Sequence, residues 1–91
     1  MIQTDFDLEE ELLTIAVETY KLVVFNDDVN TFDHVIEILE EVCGHTEEQA
    51  EQCTLIIHHK GKCTVKQGDW EKLASMRAQI CRAGISAEVV E

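Results

Sequence analysis

The rest of this 91-residue chain depends on one segment, Tyr20-Lys-Leu-Val-Val-Phe-Asn-Asp-Asp-Val-Asn-Thr-Phe-Asp-His-Val-Ile-Glu-Ile-Leu39. The residues from Leu22 to Phe25 are β-branched or bulky, which is typical of a buried strand. Short polar side chains follow, and they favour a turn because they hydrogen-bond nearby backbone groups. Asn30 or Thr31 then caps a helix whose apolar residues recur at helical spacing. The segment therefore predicts a strand, a polar turn and a helix, with the turn at the mouth of an apolar groove.

Helix caps predict where the next elements begin and end. The first helix is expected to run over residues 31–42 and to end at Gly44, since glycine readily takes the left-handed cap conformation. Thr46 and Gln49 have the spacing of a capping box for a second helix, which should end near His59. A short second strand is expected over residues 63–65.

The C-terminal part of the chain predicts a third helix and a last strand. Asp69 is the expected N-cap and Gly84 the expected end of this helix, and residues 85–90 have the composition of a strand. The order strand, helix, helix, strand, helix, strand predicts an α+β fold, in which the helices cover one face of a three-stranded sheet. The positions of the third helix that we expect to be buried are Trp70, Leu73, Ala74, Ile80 and Cys81.

Composition restricts the possible partners. The net charge of −12 argues against nucleic acid and against anionic membranes, because both require clustered Lys and Arg. No segment is apolar over the length of a membrane span, and the N-terminus lacks the pattern of a signal peptide, so we expect a cytoplasmic protein. Residues 1–19 are predicted to be an acidic, mobile extension, and residues 20–91 a single domain.

Two motifs in this order resemble the ClpS family. They are Tyr20-Lys-Leu-Val-Val-Phe-Asn-Asp-Asp28 and Leu55-Ile-Ile-His-His-Lys-Gly-Lys62. Members of that family are adaptors that present N-end-rule substrates to the AAA+ unfoldase of a Clp protease. The resemblance implies a small α/β sandwich with an antiparallel sheet and no enzymatic activity or cofactor. It also implies an unfoldase partner of ClpA or ClpC type and substrates that begin with Phe, Tyr, Trp or Leu.

A free peptide N-terminus is an ammonium with three donors, so a protein that binds it needs several acceptors at one point. Asn26 and Asp27 offer side-chain oxygens, and His58 offers a neutral ring nitrogen. The resemblance implies that these three residues hold the α-amino group. Asp28 matches a second family aspartate, which contributes turn geometry or electrostatic field.

The resemblance also places a pocket for the first side chain of the peptide. Its walls are Phe32, Val35, Thr54 and Ile57, with Asn30 near the peptide backbone. Phe32 and Thr54 depart from the family pattern, in which methionine is usual at both places. A phenylalanine ring offers edge-to-face contact, and a threonine leaves space and a hydroxyl group. We therefore expect aromatic first residues to bind more tightly than Leu.

Other functions remain open at this stage. On the third helix, Glu71 matches a glutamate of the surface with which the family docks onto the unfoldase. The usual lysine of that surface falls at Met76, with Arg77 beside it, so Glu71 and Arg77 are possible docking residues. The protein could therefore dock without selecting N-termini. A small metal-dependent hydrolase is a further alternative, with Asp27, Asp28 and His58 as its polar residues. The four cysteines have no C-x-x-C spacing, which favours reduced thiols over a structural zinc site.

Overall fold

A computed structural model describes residues 19–91 of the chain. These residues form three strands and three helices in the order that the sequence predicts. The elements are β1 (Tyr20–Phe25), α1 (Phe32–Cys43), α2 (Glu47–Lys60), β2 (Lys62–Gly68), α3 (Trp70–Arg82) and β3 (Ala87–Val90).

The sheet has the strand order β2-β1-β3, and both neighbours run antiparallel to β1. Tyr20 pairs with Gly68 at one end of β1, and Phe25 pairs with Lys62 at the other. Because β1 is the central strand, its Leu22 and Val24 side chains are fully buried. The turn that follows Phe25 is therefore anchored to the central, buried strand of the sheet.

The ends of α1 and α2 agree with the predicted caps, whereas the C-cap of α3 is Ala83 and not Gly84. The Thr31 side chain accepts a hydrogen bond from the His34 N–H at 3.1 Å, which makes Thr31 the N-cap of α1. Gly44 ends α1 with φ 69°, a left-handed conformation that glycine adopts without steric cost. The predicted capping box of α2 is present, with Thr46 and Gln49 bonding each other's backbone N–H groups. These caps fix both ends of the connection between α1 and α2.

One apolar core joins the sheet to all three helices, as expected for helices that cover one sheet face. Burial of this apolar surface is the main favourable contribution to folding. The buried residues of the core are Leu22, Val24, Val35, Leu39, Cys43, Ala50, Ile57, Val65, Leu73, Ile80, Ile85 and Ala87.

The expected buried face of α3 is wrong at two positions. Trp70 is 55% exposed, because α3 begins directly after the edge strand β2 and its first residue lies at the rim of the sheet. Cys81 is exposed because it follows buried Ile80, and successive helical residues point about 100° apart. Leu73 and Ile80 are buried as expected, while Ala74 is half-buried.

Two strands differ in length from the prediction. β2 extends over seven residues, because its backbone pairs with the whole of β1 although its outer side chains are polar. β3 begins at Ala87 and not at residue 85, since Ile85 still donates its N–H to the end of α3. Of the predicted N-terminal extension, all but Thr19 lies outside the described residues.

The cysteines in residues 19–91 are free thiols. Burial raises the pKa of Cys43 to about 11, and it raises the pKa of Cys63 to about 11 as well. Both thiols are therefore protonated at neutral pH, in which form they are poor nucleophiles. Within the part of the chain that the structure describes, no helix is long and apolar enough to cross a bilayer.

Candidate functional site

A cavity of about 330 Å³ lies where the end of β1, the start of α1 and the last turns of α2 meet. It combines apolar walls with a few converging polar groups, which is the usual composition of a ligand site. All eight residues predicted to bind the α-amino group or to form the pocket line this cavity. The complete lining is Asn26, Asp27, Asp28, Asn30, Thr31, Phe32, Val35, Thr54, Ile57 and His58.

A larger depression of about 660 Å³ lies along the first half of α2. Apart from Cys53, its lining side chains are polar or charged, and none of the residues predicted for the site is among them. The lining residues are His45, Glu48, Gln49, Glu51, Gln52 and Cys53. The smaller cavity is therefore the candidate site.

The Asp27 carboxylate organises the turn at the mouth of the cavity. One of its oxygens accepts the backbone N–H groups of Val29 at 2.9 Å and of Asn30 at 2.8 Å. The other oxygen accepts the Asn30 side-chain amide at 2.7 Å. The bond from the Asn30 backbone holds the pKa of Asp27 below its usual value, so the carboxylate is charged at neutral pH. Its second oxygen retains a free acceptor position for a ligand.

Asn30 connects this turn to a distant part of the chain. Its amide also donates to the Gly84 carbonyl at 2.8 Å, in the connection between α3 and β3. His34 donates from Nε2 to the neighbouring Ala83 carbonyl at 3.0 Å. Sequence reasoning missed both contacts, because residues about fifty positions apart leave no local spacing signal. Together they fix the start of α1 against the end of α3.

Asn26 and His58 both line the cavity, Asn26 from the end of β1 and His58 from the last turn of α2. The Asn26 backbone donates to the Gly61 carbonyl at 2.8 Å, which brings the end of β1 next to the end of α2. The Asn26 side chain is exposed and makes no hydrogen bond within residues 19–91. His58, in the last turn of α2, is also exposed, and its ring lies 6.4 Å from the Phe32 ring, centroid to centroid.

The apolar wall is formed by side chains that are largely buried. Val35 is 9% exposed, Ile57 is 3% exposed and Thr54 is 3% exposed. The Thr54 hydroxyl donates to the Ala50 carbonyl at 2.7 Å. The helix backbone therefore takes the hydroxyl proton of Thr54, which is not available for donation to a ligand. Phe32 remains 38% exposed at the rim.

The family model described as ATP-dependent Clp protease adaptor protein ClpS matches residues 16–88. The chain belongs to the ClpS family. A ClpS adapter of Thermosynechococcus vestitus is 33% identical over 73 residues, which cover 79% of this chain and 78% of the relative. A ClpS adapter of Nostoc sp. is 37% identical over 73 residues, covering 79% and 75%.

A solved structure supports the fold. It is that of Agrobacterium tumefaciens ClpS2 bound to L-phenylalaninamide, with a TM-score of 0.73 and 18% sequence identity. The match covers 79% of this chain and 96% of the solved chain. The architecture described above is thus a ClpS architecture, with the strand order β2-β1-β3 at its centre.

In this ClpS protein, the two residues considered for unfoldase docking lie on α3 and are exposed. Glu71 is in the first turn, next to the pairing of Tyr20 with Gly68, at the end of β1 opposite the cavity. Arg77 lies further along and donates from Nε to the Ala87 carbonyl at 2.9 Å, which ties α3 to β3. Glu71 is therefore separated from the cavity by the length of the central strand.

The hydrolase alternative required a metal site around Asp27, Asp28 and His58. Among the described residues, no group of three or more His, Cys, Asp or Glu side chains is arranged to hold a metal ion. Asp27 instead has its carboxylate bonded within the turn. The geometry gives this alternative no support.

Proposed function

We propose that this ClpS protein is a non-enzymatic adaptor that binds the free α-amino group and the large hydrophobic first residue of substrate proteins. It then delivers these substrates to a AAA+ Clp unfoldase of ClpA or ClpC type in the cytoplasm. The observation that carries the proposal is a single cavity in which polar acceptors adjoin a buried apolar wall. A ligand with an ammonium group and an apolar side chain on the same carbon matches that arrangement.

Three acceptors around the cavity mouth suit the three N–H donors of an ammonium group. Asn26 supplies an amide oxygen, Asp27 the oxygen that is bonded only to Asn30, and His58 a ring nitrogen. The charge of Asp27 favours a cation over a neutral amide, and exposed Asp28 adds to the same field. Acetylation of the peptide removes both the charge and two of the three donors.

The apolar wall is suited to an aromatic or large aliphatic first side chain. Phe32, Val35 and Ile57 present apolar surface, and Thr54 contributes little polarity because its hydroxyl is bonded to Ala50. Support comes from the ligand of the solved ClpS2, since L-phenylalaninamide combines a free α-amino group with an aromatic side chain. Peptides that begin with Phe, Tyr, Trp or Leu are accordingly the expected ligands.

The proposal is tested by fluorescence anisotropy with labelled peptides that differ only at the N-terminus. A free Phe-initiated peptide should bind saturably, while its acetylated form and a Ser-initiated form should bind at least about tenfold more weakly. His58→Ala should weaken binding of the free peptide by about tenfold, and Glu88→Gln, a charge change on β3, serves as the matched control. Equal affinity for free and acetylated peptides would rule out recognition of the N-terminus.

Delivery requires a second surface that is occupied at the same time as the cavity. Glu71 and Arg77 are the proposed docking residues, and the first of them lies at the far end of β1 from the cavity. Glu71→Lys should weaken binding to purified unfoldase and leave the peptide affinity unchanged, and His58→Ala should do the opposite. If Glu71→Lys leaves unfoldase binding intact, docking occurs elsewhere on the domain.

A further inference from the structure

His58 is exposed, and it differs from the half-buried His34 and His45 in what holds its ring. The Nε2 atoms of His34 and His45 donate to backbone carbonyls at 3.0 and 2.8 Å. Within residues 19–91, neither ring nitrogen of His58 has a hydrogen-bond partner. A histidine that must present one nitrogen to a ligand is ordinarily oriented by a hydrogen bond at the other nitrogen. Some other contact must therefore set the orientation of His58.

Two aromatic rings lie close to the His58 ring. The Phe32 ring is 6.4 Å away, centroid to centroid, with an angle of 75° between the ring planes. The His59 ring is 5.4 Å away, also at 75°. Edge-to-face packing at such distances is a favoured geometry for aromatic pairs. We call Phe32, His58 and His59 the aromatic row.

Phe32 is well placed to act as the fixed member of this row. It is the first residue of α1, directly after the Thr31 cap, so its backbone is held where the helix begins. Its ring lines the cavity and is 38% exposed, so a ligand side chain can reach it. The same ring thus contacts the acceptor histidine and faces the space for the first side chain.

We propose that Phe32 is a positioning residue that orients His58, and that it thereby couples occupation of the side-chain pocket to capture of the α-amino group. A first side chain that packs on the Phe32 ring restricts the ring, and the ring in turn restricts the His58 imidazole. A flexible, unbranched side chain at position 32 has no ring edge to place against His58 and does not provide this coupling. The proposal rests on the proposed function of the cavity.

A double-mutant cycle with a Phe-initiated peptide tests the coupling. Phe32→Leu keeps an apolar wall but removes the ring, and should weaken binding by about five- to tenfold in the wild-type background. In the His58→Ala background the same substitution should cost at least threefold less, because its effect passes through His58. Phe32→Tyr should retain affinity within about twofold, since it keeps the ring contact.

Val35→Ala is the matched control for this cycle. Val35 lines the cavity without a ring contact to His58, so its loss of affinity should be the same in both backgrounds. Equal losses for Phe32→Leu in both backgrounds, with wild-type binding intact, would overturn the role of Phe32 and leave the proposed function standing. If wild-type protein binds no free N-terminus, the proposed function itself fails.

A measurement without peptide tests the contact separately. In the NMR spectrum of the free protein, the His58 ring protons should show nuclear Overhauser contacts to the Phe32 ring. Their chemical shifts should move in Phe32→Leu and remain near the wild-type values in Phe32→Tyr. His34, which is held by a backbone carbonyl, should keep its shifts in both variants. If the Overhauser contact to Phe32 is absent, or if the His58 shifts are unchanged in Phe32→Leu, the proposal is overturned independently of the peptide-binding results.

Discussion

The Asp27 carboxylate has two roles, one in the turn and one in the proposed binding of a ligand. It accepts two hydrogen bonds from the turn backbone and one from Asn30, and in the proposed function it also attracts an ammonium group. The sequence indicated the second role, because a carboxylate after a strand is a visible acceptor. The first role is also local, but only the folded turn shows which oxygen each donor uses. Substitution of Asp27 will therefore affect stability as well as binding.

Asp27→Asn should lower the free energy of unfolding at pH 7 by about 1 kcal/mol, because the new amide places a donor against the Asn30 amide. The folded-state pKa of Asp27 is depressed, so its stabilising effect is present above the unfolded value of about 3.9 and is lost as pH falls through the lower folded value. Urea unfolding at several pH values measures the difference in the free energy of unfolding between wild type and Asp27→Asn.

This difference should be constant from about pH 7 to pH 5 and should shrink below about pH 4. Asp28→Asn is the control, since its exposed carboxylate has no hydrogen-bond partner within residues 19–91 and should change stability by less than about 0.5 kcal/mol. A difference as wide at about pH 2 as at pH 7 would contradict the role of the charged carboxylate in the turn.

Thr54 and Phe32 together predict a preference among first residues. The ring of Phe32 can contact an aromatic ligand edge to face, worth about 0.5–1.5 kcal/mol, so Phe-, Tyr- and Trp-initiated peptides should bind more tightly than Leu-initiated ones. Thr54→Met should narrow this gap, because a long flexible side chain refills the space and adapts to Leu. Dissociation constants of the four peptides, for wild type and for Thr54→Met, measure the gap between aromatic and Leu-initiated peptides.

Thr54→Val separates space from polarity at the same position. The Thr54 hydroxyl is bonded to Ala50 and does not face a ligand, so this substitution should leave the ratio of Phe to Leu affinities within about twofold. Tighter binding of the Leu-initiated peptide than of all three aromatic ones would contradict a pocket shaped for aromatic side chains. The proposed adaptor function does not depend on that result.

At the scale of the elements, local signals were sufficient for helix ends and insufficient for helix faces. Gly44 and the Thr46–Gln49 pair determine their caps through neighbours within a few residues, and both were predicted correctly. The burial of Trp70 and Cys81 depends on where α3 crosses the sheet, which no local pattern contains. The tie from Asn30 to Gly84 was missed for the same reason, since it joins two turns across the fold.

The capping box of α2 supports the helix that carries Thr54, Ile57 and His58 of the cavity lining. Thr46→Ala removes one hydrogen bond to the Gln49 N–H and should cost about 1 kcal/mol of unfolding free energy. Thr64→Ala, an exposed change on β2, is a suitable control and should cost less than about 0.5 kcal/mol. Equal midpoints of urea unfolding for wild type and Thr46→Ala would mean that the cap contributes nothing.

Over the whole molecule, charge is divided between two regions of the sequence. The part from Asn26 to His59 contains nine carboxylates and no Lys or Arg, and it includes α1, all of α2 except its last residue, and every residue that lines the cavity. The Lys and Arg residues all lie outside it. The carboxylates are those of Asp27, Asp28, Asp33, Glu37, Glu40, Glu41, Glu47, Glu48 and Glu51. In the proposed function, this acidic part of the chain attracts the cationic N-terminus of a substrate toward the site.

The electrostatic field of these carboxylates should increase the rate at which cationic peptides associate with the protein. For a peptide with Lys at its second and third residues, raising the salt concentration from about 0.02 to 0.5 M should slow association severalfold, because the Debye length falls below the distance over which the charges act. A peptide with Ser at those residues should respond less. Stopped-flow fluorescence measures both rates, and identical salt dependence for the two peptides would contradict attraction by the acidic helices.

The hydrogen bonds of Asn30 also bear on how the protein ages. Its amide nitrogen donates both to the Asp27 carboxylate and to the Gly84 carbonyl. Slow hydrolysis of that amide would replace the shared donor with a second carboxylate, directly opposite the first. The turn would then lose both hydrogen bonds of the Asn30 side chain and acquire repulsion between like charges at the mouth of the cavity. Stored material that has gained an acidic isoform at Asn30 should therefore lose affinity in proportion to the isoform, without any change in the length of the chain.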